Sequence, residues 1–135
     1  MTSRTVICGL PGAGKSFYVN ENKMHGDLVW DLDDVAACLL GTAVHERPAP
    51  WMPMVFLLSK LFDSLINHLH HNDISRNVWI INSDRDSARA AATFIGALLK
   101  SIDTDPATCL ARLSRDPMRS ARIDDYLKMS AFRNG

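Results

Sequence analysis

The chain predicts a single α/β domain of three layers: a parallel sheet of about four to five strands with helices covering both faces. Two observations carry this. Apolar, β-branched runs at residues 5–8, 28–30, 78–82 and 97–102 alternate with segments of helical periodicity. The run Val78-Trp79-Ile80-Ile81 has no polar break, as expected of a strand buried on both faces of a parallel sheet. Alternation of this kind calls for right-handed crossovers.

Composition fits one domain spanning residues 1–135. Of 135 residues, 47% are hydrophobic and 22% charged, ordinary values for a chain able to bury a core. The formal net charge is zero, which removes the simple case for a strongly basic nucleic-acid surface. Cys8, Cys38 and Cys109 are widely separated and lack metal-ligand spacing, so they are expected to be buried, reduced thiols and no structural zinc is expected. With neither a signal peptide nor a membrane-spanning run, the expected location is the cytoplasm.

Between the first strand and the first helix lies Gly9-Leu10-Pro11-Gly12-Ala13-Gly14-Lys15-Ser16, which matches the phosphate-binding pattern G-x-x-x-x-G-K-[ST] at every fixed position. Glycines let the backbone turn so that successive N–H groups form an anion nest at a helix N-terminus. Gly9, Pro11, Gly12, Ala13, Gly14, Lys15, Ser16 and Phe17 are therefore the candidate nucleotide-binding residues. Lys15 would reach the β- and γ-phosphates of ATP, and the Ser16 hydroxyl would ligate Mg²⁺.

The first helix is predicted over 16–23, ended by His25-Gly26-Asp27. The second strand runs directly into Asp31-Leu32-Asp33-Asp34. Ligands of open parallel sheets bind beyond the strands' C-terminal ends, where these carboxylates fall together with the glycine-rich loop. Alternation places Asp31 and Asp33 on one side with Leu32 pointing away. One of the three acids should cap a helix over 35–40, with Asp33 or Asp34 as the simplest cap, and at least one should do chemistry. Asp31 is a candidate for metal binding and Asp33 for activating an acceptor.

Residues 41–53 read as a proline-dense loop. Within it, Arg47 could hold an anionic acceptor and Trp51 could stack on a ring, or Trp51 could pack on the core with Arg47 solvated. Residues 54–71 show the strongest helical stripe. His45, His68, His70 and His71 lie near this helix in sequence; a metal pair from His68 and His71 competes with a polar helix end. A helix over 87–95 follows the third strand and stops at Gly96. After the fourth strand, Pro106 opens a helix capped by Asp105 or Thr104. Arg112, Arg115, Arg119 and Arg122 then form the densest basic cluster, broken by Pro117, and a last amphipathic helix is predicted over 121–132.

These parts are those of phosphoryl transfer: a phosphate loop, a Mg²⁺-ligating serine, a carboxylate beyond a strand, and arginines to neutralise the transferring group. A motor NTPase would need an acid directly ending a middle strand. The third strand ends Ile81-Asn82-Ser83 with no acid before Asp84, and only the second strand has that form, which favours a kinase-like layout.

Residues 9–16, followed by Val29-Trp30-Asp31-Leu32-Asp33-Asp34, resemble the small P-loop kinases related to the kinase domain of polynucleotide kinases and to zeta-type toxins. The resemblance implies a nucleoside-kinase-like P-loop NTPase fold. It implies that Asp33 is the base for the acceptor hydroxyl. It also implies that Arg112 and Arg115, with Arg119, hold ATP phosphates from a short lid over residues 112–122. The chain further resembles short ATP-binding proteins of phages and prophages, on Gly26-Asp27-Leu28-Val29-Trp30-Asp31, Val78-Trp79-Ile80-Ile81, and Asp103, Pro106 and Cys109-Leu110-Ala111-Arg112. If phage-encoded, it would act in the host cytoplasm. Where polynucleotide kinases carry an arginine after the base to bind the acceptor phosphate, this chain has Ala36, so Arg47 or Arg85 would have to serve.

The expected activity is ATP-dependent transfer of the γ-phosphate to a hydroxyl or phosphate of a nucleotide, a nucleic-acid end or a small metabolite. The alternative is a non-kinase ATPase or nucleotide-dependent accessory protein in phage DNA metabolism or particle assembly, with a toxin acting on an activated sugar as a third option.

Overall fold

The computed structural model describes residues 2–128. Four strands form one parallel sheet in the order β2-β3-β1-β4: β1 (Arg4–Cys8), β2 (Leu28–Asp31), β3 (Val78–Asn82) and β4 (Leu98–Ser101). Six helices connect and follow them: α1 (Lys15–Asn22), α2 (Leu32–Leu40), α3 (Met52–His71), α4 (Arg85–Ile95), α5 (Pro106–Arg115) and α6 (Ile123–Leu127). Among the described residues, no helix is long and apolar enough to cross a membrane.

Strand parity divides the core. Val6 and Cys8 of β1, with Val78 and Ile80 of β3, pack against Leu69 of α3 and Ala88, Ala92 and Ile95 of α4. The β1–β3 register pairs Val6 with Ile80, so their side chains stack in one layer. The alanines give α4 a low surface and let it lie close to the strands. Ile7 has the opposite parity and is equally buried, so both faces of the central strand are covered. Right-handed crossovers put α1 on one face and α3 and α4 on the other, an arrangement compatible with three layers. The chain leaves β1 in one direction to reach β2, then returns and passes to β4 on the far side. That reversal opens a crevice beyond the strands' carboxyl ends.

Several boundaries differ from the sequence-based expectation. α2 begins at Leu32, because Asp31 itself caps it: an Asp31 carboxylate oxygen accepts from Asp33 N–H at 3.1 Å. α3 begins at Met52, since Pro53 sits in its first turn, where the missing N–H costs nothing. α4 begins at Arg85, capped by Asp84. Asp105 caps α5. The final helix is broken: a 3₁₀ turn over Ser120–Arg122 precedes α6, which ends at Leu127. The expected continuation to 132 lies outside the described residues. Cys8 and Cys109 are buried, but Cys38 is exposed, because α2 buries Ala36 and Ala37 and turns the following residue outward.

Arg4 is a structural tie that composition and periodicity did not reveal. From the start of β1 its guanidinium donates to the carbonyls of Leu69 (2.6 Å), Asn72 (2.7 Å) and Ile95 (3.0 Å). It thereby satisfies helix-end acceptors of both α3 and α4. Arg4→Ala should lower unfolding stability by about 2 kcal/mol, since charge-assisted hydrogen bonds are lost and carbonyls left unpaired. Urea denaturation checks this.

Candidate functional site

A cavity of about 1340 Å³ opens at the carboxyl ends of β1, β2 and β3. Residues 11–16 of the glycine-rich loop 9–16 line its floor. Its three glycines have different physical causes. A Cβ at Gly9 would stand 2.8 Å from the Ile102 carbonyl oxygen, and one at Gly12 would stand 2.7 Å from that of Cys109. Gly14 has φ of 99°, a conformation L side chains rarely adopt. The loop is pinned from behind: Thr104 Oγ1 donates to the Ala13 carbonyl (2.7 Å) and Arg112 Nη1 to that of Gly12 (3.1 Å).

Gly14 is the N-cap of α1 and supplies no side chain to it, whereas Asp31, Asp84 and Asp105 cap α2, α4 and α5. The first-turn N–H groups of α1 thus lack a side-chain acceptor, and the helix presents its positive end to the cavity. Lys15 follows directly and is buried, with Nζ donating to the carbonyls of Gly9 (2.9 Å) and Leu10 (2.7 Å). Burial lowers its pKa to about 8, and the nearby Arg119 charge adds to that fall, against the pull of Asp31 and Asp33.

Next along α1, Ser16 Oγ–H donates to Asp31 Oδ2 at 3.1 Å. Asp31 is buried, and its two oxygens divide the work: one caps α2 and the other meets Ser16. This pair of hard oxygen donors suits Mg²⁺, which is commonly held by one or two protein oxygens with the remainder from phosphates and water. Among the described residues no group of three or more His, Cys, Asp or Glu side chains could hold a metal ion. His70 instead stacks on Phe94 at 4.1 Å between ring centroids, at the end of α3.

Asp33 also lines the cavity, but it gets there from the first turn of α2, not by strand alternation, and Leu32 lines the cavity as well. Asp33 Oδ2 lies 3.3 Å from His45 Nδ1 and Oδ1 lies 3.5 Å from Arg47 Nη2. Burial pushes its pKa up, yet the contact with His45 and the charges of Arg47 and Arg119 outweigh burial and hold it at about 2. Burial, aided by the Asp31 charge, raises the neighbouring Asp34. Arg47 stays exposed and stacks over the partly buried Trp51 ring at 5.0 Å, so these two residues engage each other.

The late arginines divide. Arg112, Arg119 and Arg122 line the cavity; Arg115 lies exposed on α5 and does not. The reason is helical phase: Leu113 is the buried position of that turn, and Arg115 falls on the outer side. Arg119 reaches both ring nitrogens of His45, and Arg122 Nη2 donates to the His45 carbonyl at 2.8 Å. Phe17 lines the cavity while remaining 71% exposed. Gly9 is not part of the lining; it contributes through its carbonyl to Lys15. Arg85 pairs with Asp103 (3.7 Å) and is not among the residues lining the cavity. His45 is the residue that sequence reasoning missed: it was grouped by proximity along the chain with the α3 histidines, and nothing in the local pattern links it to Asp33.

No protein-family model matches the chain, and no curated protein matches it. The fold and the site geometry therefore carry the functional reading.

The Lys15 environment makes a stability prediction. Its pKa is lower in the folded state than in the unfolded chain, so its charge destabilises the fold below pH 8, and that penalty fades as pH rises from about 8 to 10.5. At pH 7 Lys15→Met should be more stable than the parent by on the order of 1–3 kcal/mol, and so unfold at a higher temperature. The gap should shrink by pH 10. Calorimetry across that range checks both parts.

Proposed function

We propose that this protein is an ATP-dependent phosphotransferase, a small kinase of the P-loop, nucleoside-kinase-like class acting in the cytoplasm. The observation that carries the reading is the 3.1 Å contact from Ser16 Oγ to Asp31 Oδ2 beside the uncapped start of α1 and buried Lys15. It joins a phosphate-binding helix end to a metal-binding oxygen pair, which is the donor half of phosphoryl transfer.

In this reading the N–H groups at the start of α1 and the Lys15 ammonium hold the β- and γ-phosphates. Ser16 and Asp31 hold Mg²⁺, which when bound neutralises phosphate charge. Arg112 and Arg119, which line the cavity as Arg115 does not, neutralise charge on the transferring group. The acceptor hydroxyl hydrogen-bonds to Asp33, which takes its proton late, as the new bond forms, and releases it to water. The hydroxyl oxygen bonds to the γ-phosphorus as the bond to the β–γ bridging oxygen breaks, and ADP leaves with that electron pair. A carboxylate held near pKa 2 is a weak base. In a loose transition state its main task is orienting the nucleophile, which needs an ionised oxygen more than a basic one. The acceptor class is a nucleotide, a nucleic-acid end or a small metabolite bearing a hydroxyl or phosphate.

Incubation with γ-labelled ATP and a panel of nucleosides, nucleotides and 5′-hydroxyl oligonucleotides tests this directly. Label should appear on an acceptor; release solely as inorganic phosphate would point to an ATPase instead. Asp33→Asn should cut transfer by about 10²–10⁴-fold while ATP affinity stays close to that of the parent. Lys15→Ala should weaken ATP binding or stop turnover, and unchanged binding and turnover in that variant would falsify the nucleotide site.

A further inference from the structure

We infer that His45 is a positioning residue that holds Asp33 for the acceptor and ties it to the arginines of the late segment. This rests on the phosphotransferase reading above and deepens it. Three observations support it. First, His45 Nδ1 lies 3.3 Å from Asp33 Oδ2, while the same ring meets the Arg119 guanidinium. One imidazole thus bridges a residue of the acceptor side and a residue of the donor side. A neutral ring can do this by donating from one nitrogen and accepting at the other. Second, the backbone at His45 has φ of 70°, a conformation uncommon for a side chain other than glycine. Residues held in such conformations persist where surrounding contacts over-determine them, and they cluster at functional sites. Third, the contact that holds the backbone is itself part of the site: Arg122 donates to the His45 carbonyl at 2.8 Å.

The neighbours explain why a bridge is needed here. Asp33 faces Arg47 from the same loop, Asp31 and Asp34 from its own segment, and Lys15 from α1. Unrestrained, its carboxylate could turn to Arg47 alone. The His45 ring stands against Oδ2 at 3.3 Å and so restricts rotation of the carboxyl group. The tie to Arg119 and Arg122 also makes its orientation depend on where the 116–122 segment lies. Binding of phosphates by Arg119 is thereby linked to alignment of the acceptor carboxylate.

His45→Gly removes the ring and accepts the positive φ without strain, so a failure to fold is not the expected result. His45→Asn keeps a side-chain N–H donor and tolerates the same backbone region. With the acceptor found in the labelled-ATP screen, His45→Gly should lower kcat by roughly 30-fold with KM for ATP within about threefold of the parent, and His45→Asn should recover most of the loss. A parent-like kcat in His45→Gly overturns the role. So does a fall in kcat that His45→Asn shares in full, or one accompanied by an equal loss of ATP affinity, since a general packing defect would give those results. Parent protein that transfers label to no acceptor overturns the phosphotransferase reading, and this role with it.

Discussion

The close approach of backbone to backbone behind the glycine-rich loop is the constraint on which the site depends. Ile102 leaves β4 and Cys109 sits in α5, and their carbonyl oxygens come so near Gly9 and Gly12 that no Cβ fits between. This contact fixes the loop from the rear, leaving its front to face the cavity. It also sets the position of α5, because Leu113 packs over Gly12 and Arg112 bonds to the Gly12 carbonyl. From α5 the chain runs into the segment that carries Arg119 and Arg122, and these reach His45 and, through it, Asp33. A chain of packing and hydrogen bonds thus leads from two glycines to the far wall of the cavity.

Electrostatics at the site work by division of roles. Lys15 is buried at the positive end of α1, which is unfavourable for a cation and is relieved in part by two backbone carbonyls and by Asp31 and Asp33. In the proposed reading, a group so placed gains from an arriving polyanion what it lacks in the folded protein alone. Asp31 and Asp33 are two residues apart yet differ in surroundings. Asp31 is tied to Ser16 and to the start of α2; Asp33 is tied to His45 and Arg47. Two carboxylates on one turn are in this way given different partners and different surroundings.

Much of the framework was legible in the chain. The strand of residues 78–82 and the alternation of strand and helix followed from periodicity, because a parallel strand buried on both faces leaves an unbroken apolar run. The loop at 9–16 was legible because its glycines and its Lys-Ser pair sit between a strand and a helix. Helix starts were less so. Asp31, Asp33 and Asp34 all have the right chemistry to cap, and the choice of Asp31 over its neighbours depended on where β2 ends. Pro53 could mark either a loop or a first helical turn, and the local sequence does not distinguish these.

What the sequence by itself determined is the set of elements, the parallel sheet and the glycine-rich turn between β1 and α1, since these depend on local propensity and spacing. The tertiary structure alone decided which side chains meet. It brought Ser16 to Asp31, selected Arg112, Arg119 and Arg122 while leaving Arg115 outside, and set His45 against Asp33. Those pairings join residues far apart in the chain through helix phase, crossover hand and backbone contact, none of which is written in any single stretch. The glycines show the boundary best: their pattern announced a phosphate-type loop, but only the folded chain revealed that two of them are required by what lies behind it.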